Sequence, residues 1–218
     1  MPYLLETTAA NSYANPASTV TVGANTDDYI EFSGYANSGN PGGSYRLFGD
    51  TGSYHYFIEL TSTEVRLWIS GSVKSFSSGY TQPAVGTDFV VRLVNTGGTN
   101  WECFLDGVSL GAGSGTVYVN AEFTQLLNFN SSSEAFQGGC YYIEACTDGT
   151  GTATNRWENV TDSTATTWVD TIGANDATLT NFTLPDAWIF YSSGTNTPIN
   201  LSVTDLLATS ARLNWEQG

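Results

Sequence analysis

Residues 53–72, SYHYFIELTSTEVRLWISGS, decide the fold. Two alternating runs flank the polar segment TSTE, residues 61–64, which is the signature of a β-hairpin. Setting Leu60 opposite Val65 puts Ile58 opposite Leu67 and Tyr56 opposite Ile69, and so gathers one apolar face. The same register puts Glu59 opposite Arg66, Phe57 opposite Trp68 and His55 opposite Ser70 on the other face. An opposite-charge pair and an aromatic pair each contribute about 0.2–1 kcal/mol. A slip of one residue would destroy both faces together.

The pattern continues on both sides. Residues 27–35, DDYIEFSGY, alternate as a strand and run into the Gly/Asn/Pro loop ANSGNPGGS. Residues 88–111, DFVVRLVNTGGTNWECFLDGVSLG, form a second hairpin. Its inward face carries Phe89, Val91 and Leu93, then Trp101, Cys103 and Leu105, and Gly107 supplies positive φ in the Asp106-Gly107 turn. Residues 121–130 and 136–148 read as two more strands, and WIFYSSG at 188–194 as a closing one. Residues 1–26 are polar with short apolar touches, and are expected to form an edge strand or an arm. No segment shows helical periodicity, so the chain is expected to be all-β.

Composition limits the function. Hydrophobic residues make up 40% of the 218 and aromatics 13%, enough for a packed core. Six Lys and Arg against 21 Asp and Glu give a net charge of −15, so there is no basic face for nucleic acid or for anionic membranes. No run approaches the roughly 20 apolar residues of a membrane span, and the first 16 residues lack the pattern of a Sec signal peptide. The three cysteines are an odd number. Cys140 and Cys146 lie six residues apart in one strand, about 20 Å at ~3.3 Å per residue, too far for a disulfide. Buried or semi-buried free thiols are expected. Alternation places Cys140 and Cys146 on the face away from Tyr141 and Ile143.

The order of these pieces resembles the concanavalin A-like lectin/glucanase sandwich in its laminin G-like form. The resemblance runs over residues 27–194. It is carried by the FIEL…EVRLWI hairpin, the Asp-Gly turn unit at 88–111, the Phe-x-Gly strand FQGGCYYIEA, and the turn Asp170-x-x-Gly173-x-Asn175-Asp176-x-x-Leu179. It implies a two-sheet antiparallel jelly-roll sandwich. Residues 195–218 resemble a linker and the first strands of a fibronectin type III domain, through Pro198, Leu201, Val203, Thr209, Ser210, Ala211, Leu213 and Trp215. Such a domain needs roughly 100 residues, so the natural chain is expected to continue past Gly218, with this tail as the start of a second β-sandwich.

Glu102 and Asp106 share a face in WECFLDG, but no second Glu follows and Asp106 belongs to the turn, so no catalytic residue is assigned. His55 is the only histidine and no nucleophile elbow is present. The outward face of the first hairpin, with His55, Phe57, Glu59, Arg66 and Trp68, is expected to be a contact surface for a glycan or a protein. The resemblance implies a Ca²⁺ site, for which Asp170, Asn175 and Asp176 are candidates, with TDGTG at 147–151 as another. The expected function is that of a non-catalytic phage virion surface protein, in head decoration or tail fibre, with a lectin-like module for assembly or for adhesion to a host-surface glycan. Its partners would be other virion proteins, further copies of itself or a cell-surface glycan. The alternative is a carbohydrate-binding module of an extracellular bacterial enzyme or adhesin.

Overall fold

A computed structural model describes residues 3–7, 11–38, 43–50, 56–117, 120–128, 136–158, 162, 164–184 and 187–190, without the side chains of Tyr3, Phe57, Trp188 and Phe190. The expected second-sandwich tail, 195–218, lies outside these residues, as does His55. Among the described residues the chain has strands and no α-helix. In order these are β1 (Tyr3–Thr7), β2 (Tyr13–Pro16), β3 (Val20–Val22), β4 (Tyr29–Ala36), β5 (Tyr45–Gly49) and β6 (Tyr56–Leu60). Next come β7 (Val65–Ile69), β8 (Ser72–Phe76), β9 (Asp88–Gly97), β10 (Asn100–Leu105), β11 (Val108–Ser109) and β12 (Ala121–Phe123). The last are β13 (Gln125–Leu126), β14 (Gly138–Cys146), β15 (Asn155–Glu158), β16 (Thr167–Trp168), β17 (Ala177–Thr180) and β18 (Trp188–Phe190).

The strands form two antiparallel sheets and a small pair. The first sheet runs β11-β10-β9-β4-β14-β1-β18, with β15 also along β14. The second runs β16-β17-β2-β13-β5-β6-β7-β8, and β3 pairs with β12 alone. The β6–β7 register matches the sequence expectation: Leu60 faces Val65, Ile58 faces Leu67, and Glu59 faces Arg66. Ile58, Leu60, Val65, Leu67 and Ile69 are all fully buried, so the apolar face of the hairpin is the core face. Phe89, Val91, Leu93, Trp101 and Cys103 do the same for the β9–β10 hairpin. The two inner faces meet through a group of rings. The Tyr45 ring of the second sheet stacks on Phe89 of the first at 6.1 Å, and Phe136 meets both Phe32 and Tyr45 edge-on.

Two places differ from the sequence reading. The described part of residues 1–26 belongs to the sandwich: β1 lies between β14 and β18, and β2 between β13 and β17, with Leu4, Leu5, Ala14, Val20 and Val22 buried. Three strands of five, four and three residues are too short to show an alternation of their own. Second, Cys140 and Cys146 do not share a face. The β4–β14 register shifts between Cys140 and Tyr142, so Tyr141 is an extra residue. Cys140 pairs with Gly34 and joins the core with Ile143, whereas Cys146 pairs with Tyr29 on the outer side. All three thiols are free and buried, as expected, and burial pushes those of Cys103 and Cys140 well up.

The free edge of β8 is closed by a loop. Ser75 and Ser114 exchange backbone hydrogen bonds at 2.8 and 2.9 Å. Gly115 makes this approach feasible, since a Cβ there would lie 2.3 Å from the Val73 carbonyl oxygen. Lys74, on the inner side opposite Leu67, donates its ammonium to the Gly115 carbonyl at 3.3 Å. An inward lysine on an edge strand discourages pairing with another chain.

Candidate functional site

The outer face of the first sheet is built by the polar half of each alternation. Cross-strand partners point to the same side, so Phe104, Arg92, Glu31, Glu144 and Arg156 form one row over five strands. Glu31 and Glu144 are directly opposed, an arrangement that is unfavourable unless the charge is met. Here it is met from both sides. The Tyr142 hydroxyl donates to Glu31 at 2.7 Å, and the Tyr29 hydroxyl donates to Glu144. Arg156 holds Glu144 at 2.6 Å and Glu158 at 2.9 Å, and its guanidinium lies 4.3 Å over the Tyr142 ring. Arg92 lies 3.6 Å over the Tyr29 ring and 3.8 Å from Glu31. Burial, then the hydrogen bond to its glutamate, raises the pKa of Tyr29 and of Tyr142, so both phenols stay protonated as donors.

At the β9–β10 end this face opens into a cleft of about 720 Å³. Val90, Arg92, Val94 and Thr96 line it from β9, and Glu102 and Phe104 from β10. Asp27, Glu31, Asp106 and Gly107 complete the wall. Its edge is a two-residue turn with positive φ at Asp106 (50°) and Gly107 (76°), the combination that matches the twist of paired strands. The turn is anchored to β9, since Asp106 accepts the Val90 N–H at 2.8 Å and donates its own N–H to the Val90 carbonyl at 2.8 Å. Glu102 accepts the Ser109 hydroxyl. The two carboxylates that alternation places on one face do line one cleft. Phe104, between them in sequence, is the cleft residue that the search for paired acids does not reveal. The spacing Glu102-x-Phe104-x-Asp106, an aromatic flanked on its own face by two acids, is the signal that could have found it.

Of the residues expected at a contact surface, Glu59, Arg66 and Trp68 lie on the outer face of the second sheet. Glu59 is only 5% exposed and is gripped by Arg46 at 3.4 Å and Arg66 at 3.2 Å, while Arg66 also binds Glu64 at 2.6 Å. Glu64 first, and then Glu59, raise the guanidinium pKa of Arg66 against burial. Trp68 is half-buried, with Phe57 opposite it on β6 and Val73 on β8. The Phe57 side chain and His55 lie outside the described residues.

Asp170, Asn175 and Asp176 come together in one loop, and protein donors engage them. Asp170 accepts the N–H groups of Arg156, Ile172, Gly173 and Asn175 and the amide of Asn155, at 2.6–3.2 Å. Burial alone would raise its pKa, but these donors outweigh it and hold the carboxyl below its ordinary value. Asp176 accepts the Asp170 N–H at 2.8 Å, and the Asn175 amide bonds both backbone groups of Ser18. In the loop at 147–151, Asp148 accepts the N–H and hydroxyl of Thr150, which lower its pKa. No group of three or more His, Cys, Asp or Glu side chains among the described residues is arranged to hold a metal ion.

No family model matches the chain, and no curated protein matches it. Among solved structures, a Bacteroides ovatus protein described as carbohydrate binding aligns with TM-score 0.49 and 9% identity over 83% of this chain. This chain spans 60% of the length of that protein. The carbohydrate binding module CBM66 from Bacillus subtilis aligns with TM-score 0.38 and 14% identity, over 56% of this chain and 76% of that one. Scytalido-glutamic peptidase, solved with a peptide-based transition state analog, aligns with TM-score 0.32 and 14% identity, over 77% of this chain and 98% of that one. At these scores the likenesses carry no argument about chemistry, which rests on the residues themselves.

Proposed function

We propose that the chain is a non-catalytic glycan-binding module and that its sugar site is the cleft around Phe104. The setting of that ring carries the reading. It sits half-buried on β10 in a cleft whose volume falls in the usual range for small-ligand sites, about 300–1,000 Å³, with carboxylates and a guanidinium around it. A sugar ring has apolar C–H faces that stack on an aromatic and hydroxyls that bond to acids and amides at the side. The reading is non-catalytic because each acid of the Glu102–Asp106 pair has a structural partner, Ser109 and the Val90 N–H. Either setting considered from the sequence, a virion surface or an exported bacterial enzyme or adhesin, would use such a module to hold a glycan.

The test is retention of the chain on immobilised polysaccharides, with Phe104→Ala beside the natural sequence. Phe104→Ala should lose at least tenfold in affinity, about 1.4 kcal/mol, with an unchanged near-ultraviolet circular dichroism spectrum. Undiminished retention in that variant overturns the site. Release of reducing ends that disappears in Glu102→Gln overturns the non-catalytic assignment.

A further inference from the structure

Resting on that reading of the cleft, we infer that its ligand is a glycan carrying free ammonium groups, and that acidic sugars are excluded from it. The inference comes from what the lining can give and take. Among the described lining residues Arg92 and Thr96 are the only side chains that donate hydrogen bonds; the Arg92 guanidinium lies 3.8 Å from Glu31 and over the Tyr29 ring, and its buried Nε, which no protein acceptor meets, is the one cationic donor of the wall. Acceptors are plentiful. Glu102 meets Ser109 through Oε1, and Asp106 meets Val90 through Oδ1, so the second oxygen of each stays open to a ligand. Asp27 adds a third carboxylate to the wall, and Glu31 is a fourth whose two oxygens already face the Tyr142 hydroxyl and Arg92. One guanidinium against four carboxylates leaves the cleft strongly negative.

A ligand must therefore bring the protons. Sugar hydroxyls do so, and an ammonium does so with a charge that makes the bond to a carboxylate shorter and stronger. A uronate or sulfated sugar brings acceptors to acceptors and a negative charge to a negative wall, so its exclusion follows from charge as well as from hydrogen bonding. Phe104 and the flanking Val90 and Val94 do not discriminate between these sugars, since the apolar faces of their rings are alike. The stacking platform thus sets that a sugar binds, and the acids set which class.

The experiment is calorimetric titration of the intact chain, at low and at moderate salt, with three tetramers: glucosamine, N-acetylglucosamine and galacturonic acid. The expected order is glucosamine at least tenfold tighter than N-acetylglucosamine, with galacturonic acid weakest. The net charge of −15 attracts any cation, so a matched control is needed. Glu102→Gln with Asp106→Asn should bring the first two ligands within about threefold of each other. Glu122→Gln with Asp162→Asn, two exposed acids outside the cleft, removes the same charge and should leave the ratio unchanged. Galacturonic acid binding as tightly as glucosamine overturns the inference, as does a ratio that the cleft variant leaves in place. If tetramers bind but none responds to Phe104→Ala, the site reading itself fails. If they respond without the charge preference, only the present inference does.

Discussion

On the outer face of the second sheet, Arg46 and Arg66 meet Glu59 and Glu64, two charges against two, with the central glutamate almost fully covered. On the outer face of the first sheet, around Phe104, one Arg92 shares a cleft with Asp27, Glu31, Glu102 and Asp106, and only Glu31 lies within ion-pair distance of it. Both faces are polar sides of alternating hairpins, and both carry a large aromatic. They differ in balance. A face whose charges satisfy one another has few polar groups left to offer a ligand. The proposed site is the face where acceptors outnumber donors around a half-buried ring. Residue types alone would rank the two faces equally, and the pairing separates them.

The largest expected effect tests the closed face. Glu59→Ala leaves Arg46 and Arg66 without their shared carboxylate, and should lower stability by about 2–3 kcal/mol, below the roughly 3–5 kcal/mol of a fully buried pair because both arginines are partly solvated. The urea midpoint should fall with an unchanged slope, and glycan affinity should not move. A loss of affinity equal to that of Phe104→Ala would dissolve the distinction between the faces.

Trp68→Ala sharpens the comparison. The ring is half-buried, so the expected loss is about 1–2 kcal/mol, below the 3–5 kcal/mol of a fully buried aromatic. Retention on glycan should stay within about twofold of the natural chain. If Trp68→Ala abolishes retention and Phe104→Ala does not, the sugar site belongs on the second sheet.

The hairpins were legible because each carries two independent patterns. Glu59 opposite Arg66 and Leu60 opposite Val65 demand the same register, and no slip satisfies both. The site was less legible. Alternation shows that Glu102, Phe104 and Asp106 share a face, but whether that face opens into a cleft depends on β4 and on Asp27, more than 60 residues earlier in the chain. Local irregularities were invisible for a related reason. The extra residue at Tyr141 turns Cys140 inward, and nothing in GGCYYIEAC marks which residue bulges. The strands within residues 1–26, of five, four and three residues, hold too few repeats of the two-residue period to stand out.

The smallest expected effect concerns Asp170, a carboxylate more completely satisfied than any in the cleft. A calcium ion would compete for its oxygens with the N–H groups of Arg156, Ile172, Gly173 and Asn175 and with the Asn155 amide. Adding Ca²⁺ to a chain treated with chelator should therefore shift the melting temperature by less than about 1 °C. The measurement has the power to decide. A site bound at ten times its dissociation constant would add about 1.4 kcal/mol, which is about 3–5 °C for a chain of this size. Such a shift, lost in Asp170→Asn, would show that the loop exchanges its own donors for a metal. Protons, by contrast, should matter. The carboxyl is held below its ordinary value, so its contribution is complete above the unfolded pKa of about 3.9 and is lost as pH falls through the lower folded value. Asp170→Asn should remove that acid-dependent part of the stability, and the acid melting curves of the two chains should converge as pH falls through the lowered folded value.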